Sequence, residues 1–254
     1  MSQVQGSYDY SIPYYYDLTI GPLPFASIWD QASIPAYFSD PFGFYHFHED
    51  FDKLTIGTNT FGGWTFTSAT SGSVVADTTD PNGAITISAG AVTAAQGVNF
   101  QFAQVPIKLH ATVPTVFECK VKFGGLTSLK IQAFVGLCAI QTAIIASSAV
   151  GTDDKIGFAG VTTTGVLQSN TTASSTATTG TGVTIANSTS YRFGFVATTA
   201  KVSFFVNGSA AGAVSSSTTN IPTSALAPSI VCQANATVTP TMTVDYIRIL
   251  APRA

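Results

Sequence analysis

Ser203-Phe204-Phe205-Val206-Asn207-Gly208-Ser209-Ala210-Ala211-Gly212-Ala213-Val214 reads as strand, tight turn, strand. An Asn-Gly pair between β-forming runs is the strongest short-range hairpin signal, because both central residues of the turn need a positive φ. Upstream, Tyr191-Arg-Phe-Gly-Phe-Val-Ala197 is a third run of the same kind, and Lys201 to Val206 follows it. The spacing predicts an antiparallel meander in the C-terminal third.

Working outward, the same texture continues. Phe61-Gly-Gly-Trp-Thr-Phe66, Val74 to Asp77, Ala84-Ile-Thr-Ile-Ser88 and Val98-Asn-Phe-Gln-Phe102 are short apolar or alternating runs. Asp80-Pro-Asn-Gly83 has the chemistry of a tight turn. Phe117-Glu-Cys-Lys-Val-Lys-Phe123 alternates cleanly: Phe117, Cys119, Val121 and Phe123 share one face, and Glu118, Lys120 and Lys122 the other. Ser128 to Leu137 reads as a central strand, with short strands at Lys155–Ala159, Gly165–Gln168 and Ser229–Gln233. In Thr241–Leu250, strict alternation sets Met242, Val244, Tyr246 and Arg248 against Thr243, Asp245, Ile247 and Ile249. Many short strands between turn residues indicate a sandwich or barrel. Gln141–Ala149 is the one candidate for a helical turn, and the Thr/Ser-rich stretch Asn170–Gly182 reads as long loops or a flat, exposed pair of strands.

Residues 1–48 differ. Tyr8, Tyr10, Tyr14, Tyr15, Tyr16, Phe25, Trp29, Phe42 and Phe44 crowd a segment punctuated by Pro13, Pro22, Pro24, Pro35 and Pro41. Frequent prolines forbid a long helix, and so many rings are wrong for a solvated tail. The expectation is an arm, residues 1–48, that buries its rings on its own domain or on a partner, followed by a sandwich over 49–254.

Only 9% of residues are charged and the net charge is -3, where soluble domains usually carry about a quarter charged residues. Lys and Arg do not cluster along the chain, so nucleic acid and anionic membrane are not expected partners. The N-terminus lacks the basic-then-apolar pattern of a secretory signal. The three cysteines, Cys119, Cys138 and Cys232, have neither disulfide-framework nor metal-site spacing and read as small buried hydrophobes.

Chemistry is sparse. The chain has two glutamates, Glu49 and Glu118, and the second reads as ion-paired between its flanking lysines. His46-Phe-His48 with Glu49 and Asp50 is the one metal-like cluster, since alternate imidazoles on a strand share a face; a polar joint between arm and domain is the preferred reading. Asp153-Asp154 reads as a loop cap rather than a calcium site. No catalytic residue, cofactor site or metal site is assigned.

From about Phe51 onward the chain resembles bacteriophage structural proteins with a concanavalin A-like, laminin G-type jelly roll. The resemblance rests on motifs in order: Gly83–Ser88, Phe117–Phe123, Phe134-Val-Gly-Leu137, Asp154-Lys-Ile-Gly-Phe158, Tyr191–Phe195, Val202–Gly208, Ala227-Pro-Ser-Ile230 and Thr243–Ile249. It implies an all-β, concanavalin A-like jelly-roll β-sandwich with an extended N-terminal arm. It further implies a virion structural protein, a head decoration or cement protein on the capsid surface. That protein would bind the major capsid protein and itself as a homo-oligomer, a trimer before a dimer, with the arm aromatics as the partner-binding residues. The alternative is a carbohydrate-binding module of a tail or fibre protein. The Glu-x-Asp-x-x-Glu strand of glucanases with this fold is absent from the sequence, and the expectation is a chain that is not an enzyme.

Overall fold

The computed structural model describes residues 43–52, 60–68, 71–79, 83–90, 96–126, 131–146, 149–161, 165–213, 220–235 and 238–253. Eighteen strands follow one another: β1 (Phe44–Glu49), β2 (Thr60–Phe61), β3 (Trp64–Ser68), β4 (Ser73–Ala76), β5 (Ile85–Ser88), β6 (Gly97–Phe102), β7 (Thr115–Gly124), β8 (Ile131–Cys138) and β9 (Ile145–Ala146); then β10 (Ala149–Val150), β11 (Lys155–Gly160), β12 (Val166–Ala173), β13 (Thr176–Thr184), β14 (Ser190–Ala197), β15 (Val202–Val206), β16 (Ser209–Ala213), β17 (Ala227–Ala234) and β18 (Thr241–Pro252).

Among the described residues, sixteen of these strands form two eight-stranded antiparallel sheets, and β9 and β10 form a two-stranded one. The front sheet runs β16-β15-β14-β7-β18-β5-β4, with β1 also on β18. The back sheet runs β13-β12-β11-β8-β17-β6-β3-β2. The hairpin that anchored the sequence reading is present: Asn207 (φ 52°) and Gly208 (φ 79°) turn β15 into β16, the doubly left-handed pair that a two-residue turn of this hand requires. β14 pairs with β15 as the meander demands.

Aromatic rings knit the sheets together. Phe158 of the back sheet meets Phe193 and Phe204 of the front sheet at ring distances of 4.8 and 5.2 Å. Trp64 stacks on Phe100 at 4.4 Å and turns its edge to Phe47 of β1 at 6.1 Å. Trp64 is fully buried, as its place in an apolar run suggests, and the three cysteines are buried and free.

Three readings change in structure. Phe61–Phe66 is two strands folded about Gly62 and Gly63, both at positive φ. Gln141–Ala149 contains no helix in its described part; it enters the short pair β9–β10. Asn170–Gly182 forms the pair of strands that was one of its two expected forms, within β12 and β13, but residues 170–173 are buried rather than exposed.

The fourth change matters most. The strict alternation expected along β18 breaks at a bulge between Val244 and Tyr246. Asp245 is the extra residue. A bulge lets two residues oppose one and switches which face the following side chains occupy. Met242 and Val244 therefore point inward, and so do Ile247, Ile249 and Ala251 beyond the bulge, all at 0% exposure. Tyr246 and Arg248 are delivered to the outer face instead.

β1 belongs to the front sheet: Phe44 faces Pro252 and Glu49 faces Ile247. Of the aromatics expected to bind partners, Phe44 alone lies among the described residues, where it packs against Val116, Phe205 and Leu250 on its own sandwich. Tyr8, Tyr10, Tyr14, Tyr15, Tyr16, Phe25, Trp29 and Phe42 lie outside them.

Candidate functional site

The outer face of the front sheet carries the charge that the linear sequence scatters. Register places Arg192 of β14, Lys120 of β7 and Tyr246 of β18 in one row. The next row is Gly194, Glu118, Arg248 and, from β1, His48. Gly194 sets no side chain beside Glu118.

A cavity of about 630 Å³ opens over these rows, lined by Lys120, Ser190, Arg192, Asn207, Tyr246 and Arg248 together with Tyr191. That volume falls in the ordinary range for small-ligand sites, roughly 300–1,000 Å³. A smaller depression of about 280 Å³ adjoins it through Lys120 and Ser190 and is bounded by Asp77, Lys122 and Asp245.

The side chains are held by one another. Tyr246 donates its hydroxyl to Glu118 Oε1 at 2.5 Å. The Arg248 guanidinium lies 4.6 Å from the Tyr246 ring centre, a cation–π distance, and its Nε donates to His48 Nε2 at 3.4 Å. Asp245, on the outer face at the bulge, pairs with Lys120. The Arg192 backbone N–H donates to Asn207 Oδ1 at 2.9 Å, which ties the hairpin turn to the cavity wall.

Glu118 is 1% exposed. Burial pushes its carboxyl above the usual glutamate range, while the Tyr246 hydrogen bond and the Arg192 and Arg248 charges pull the other way. Burial is also the main reason that the Tyr246 phenol is raised far above its ordinary value, with the Glu118 charge adding to it. A buried carboxyl bonded to the Tyr246 phenol thus lies beneath a rim of cations.

Glu118 was expected to be a surface residue paired with its flanking lysines. It is buried and bonded to Tyr246, and Lys120 pairs with Asp245 instead. Alternation along β7 assigned its face correctly. What it could not show is that β14 and β18 bring Arg192, Tyr246 and Arg248 alongside.

His46 and His48 share an outward face of β1, and both are exposed. Glu49 turns away from them, accepting from Trp64 Nε1 at 3.3 Å and from the Phe51 backbone N–H at 3.0 Å. No group of three or more metal-ligating side chains occurs among the described residues. Asp154 accepts from Ser174 N at 3.0 Å and Ser224 Oγ at 2.6 Å, the loop-fastening role expected of it.

No protein-family model matches the chain, and no curated protein matches its sequence. Solved structures do match its fold. A protein of unknown function from Shewanella oneidensis, SO2946, aligns with a TM-score of 0.58 at 16% identity, covering 83% of this chain and 87% of that one. The carbohydrate recognition domain of Emp47p aligns at 0.55 and 7% identity, covering 82% and 95%. An endo-1,3-beta-glucanase from Streptomyces sioyaensis aligns at 0.52 and 13% identity, covering 84% and 98%.

These likenesses establish the concanavalin A-like jelly-roll β-sandwich. They also correct one expectation. The chain was read as not an enzyme, yet glucanases and a transglycosylase share its fold over about four-fifths of its length. The architecture is one on which enzymes work, and missing one acidic strand motif does not separate this chain from them. Nothing in these comparisons shows a phage capsid decoration protein.

Proposed function

We propose that the chain is a carbohydrate-binding jelly-roll module whose site is the cavity over β14, β7 and β18. The observation that carries this reading is the cavity itself: a ligand-sized hollow with an aromatic ring, Tyr246, beside hydroxyl, amide and guanidinium groups. Saccharides present alternating apolar ring faces and hydroxyl edges, and such a mixture of groups matches them. Trp64 is buried in the core and offers no platform. A carbohydrate recognition domain among the fold neighbours supports the reading.

The test is calorimetric titration of the full chain with a panel of neutral and acidic tetrasaccharides, with the same mixtures then analysed for shortened or transferred products. Saturable binding that Ser190→Trp abolishes at unchanged melting temperature is the expected result, because Ser190 is an exposed wall residue that a large ring would block. Heat-silent mixtures across the panel, confirmed by unshifted NMR signals, overturn the reading. Product formation would add turnover to binding at the same site.

A second reading, the head decoration protein, is favoured by the motifs that carry the phage resemblance: they fall in order on β5, β7, β8, β11, β14, β15, β17 and β18. On this reading the sandwich is a rigid body on the capsid surface, assembled as a homo-oligomer, and the aromatic leader grips the major capsid protein. Many weak contacts joined through an oligomer give high avidity. A chain lacking residues 1–40 is then expected to fold but to lose capsid binding, and tight binding by that shortened chain removes the leader's role.

A further inference from the structure

We propose that the saccharide taken by this cavity is an acidic one, bearing a uronate carboxylate or a sulfate ester that sits against Arg192 and Arg248. The inference rests on the carbohydrate reading above and narrows its ligand. The chain has ten Lys and Arg in 254 residues and a net charge of -3. Three of those ten, Lys120, Arg192 and Arg248, line one cavity, and a fourth, Lys122, bounds the depression beside it. Concentrating cations in a concave site on an acidic chain raises the local potential far above what net charge suggests.

Among the described residues three carboxylates face these cations: Asp77 bounds the depression beside Lys122 and accepts from Thr79. Asp245 is engaged by Lys120. Glu118 lies beneath the floor at 1% exposure, where its oxygen accepts from Tyr246 rather than reaching solvent. Burial pushes its carboxyl above the usual glutamate range, against the pull of Arg192 and Arg248. Arg248 is pre-set: its plane lies over the Tyr246 ring and its Nε is turned toward His48. A guanidinium held in place offers a planar fork that matches the two oxygens of a carboxylate or sulfate, with less rotamer entropy left to lose on binding. Arg192 stands one row along on the neighbouring strand, fixed through its backbone by Asn207. Ser190 and Asn207 on the same wall supply partners for sugar hydroxyls.

The experiment titrates the full chain with tetragalacturonate, with a chondroitin-sulfate tetrasaccharide and with neutral laminaritetraose, alongside sodium sulfate alone. At least one acidic tetrasaccharide is expected to bind about tenfold tighter than the neutral one, with affinity falling as salt rises, since one charge-assisted hydrogen bond is worth about that factor. Arg248→Gln and Arg192→Gln should each remove most of that advantage, and Lys108→Gln, an exposed lysine elsewhere, should not. Circular dichroism melts of each variant separate lost binding from lost folding, and two arginine variants on different strands keep the test open if one fails to fold. Which of the two acidic sugars binds tells carboxylate from sulfate. Equal or tighter binding of the neutral sugar overturns this inference and leaves the carbohydrate reading standing. Binding of none overturns that reading itself. Full acidic preference in both folded arginine variants overturns the site, and sulfate alone competing as well as the sugars overturns the saccharide.

Discussion

The two outer faces of the sandwich bury polar side chains in opposite ways. On the back sheet, the chain covers itself. The segment from Ala139 to Asp154, described except at 147 and 148, lies across the sheet as a strap. Amide side chains fasten it: Gln101 Nε2 donates to Ala139 O at 3.0 Å and to Ser229 Oγ at 2.7 Å, and Gln101 Oε1 accepts from Gln141 N at 3.0 Å. Asn99 Nδ2 donates to Gln141 O at 2.8 Å, and Gln233 Nε2 to Ile145 O at 3.2 Å. Phe134, Val231, Ile144 and Ile145 fill the space between strap and sheet. Lys155, itself fully buried, donates to the carbonyls of Gly151 and Asp153. Burial pushes the Cys138 thiol up to about 11, so it stays a protonated packing group.

On the front sheet the cavity lies open over Lys120, Arg192, Tyr246 and Arg248. The contrast teaches where binding capacity resides. Back-sheet amides spend their hydrogen bonds on their own backbone, while front-sheet groups brace one another and still face water.

The most severe test of this contrast is Ile247→Lys, which sets a charge at a fully buried position that the phase shift after Val244 turns inward. The expected outcome is an insoluble or unfolded chain on expression; a native circular dichroism melt would show that the bulge does not set the face. Next in size is Gln101→Leu. It orphans several strap groups in a buried place, at about 1–3 kcal/mol for an unsatisfied buried group, and should lower the urea midpoint and open residues 139–146 to hydrogen exchange. A change confined to the front sheet's exchange pattern would refute the fastening role.

Smaller still is Glu118→Gln. A carboxyl whose folded value is raised binds its proton more tightly folded than unfolded. Its stabilising contribution is full below the ordinary glutamate range and is lost as pH rises through its raised folded value. The neutral amide should flatten that decline in urea midpoints above about pH 4; an unchanged slope would locate the pH dependence elsewhere. Lys120→Ala should cost least, about 0–1 kcal/mol, as expected for a partly exposed ion pair, and a loss several times larger would make the Lys120–Asp245 pair a structural strut.

The architecture was legible because strand signals are local. Asn207-Gly208 fixes one hairpin by backbone preference alone, and the alternation of Phe117 to Phe123 assigns both faces of β7 correctly. The cavity was not legible, because its residues come from three strands whose register is a long-range property. Lys120, Arg192 and Arg248 are far apart in sequence, so a chain with no run of basic residues still builds a basic patch. Strict alternation along β18 put Tyr246 on the wrong face, since nothing in Val244-Asp245-Tyr246 announces a bulge by itself. A retrospective signal exists: Ile247 and Ile249 are better core residues than Tyr246 and Arg248, and only a shift of phase after Val244 buries them. The strap was missed because Gln141–Ala149 lacks a strong period of either kind; its order comes from Asn99, Gln101 and Gln233, which the sequence shows only as polar residues in apolar strands.

The order in which the front sheet is assembled carries a last consequence. β18 (Thr241–Pro252) lies between β7 on one side and β5 and β1 on the other. During synthesis the early and middle strands therefore wait, with their ring-bearing edges uncapped, until residues 241–252 leave the ribosome. Such late, non-local closure slows folding and prolongs exposure to aggregation. Ribosome-bound chains halted before residue 241 should recruit chaperones that the released full chain does not.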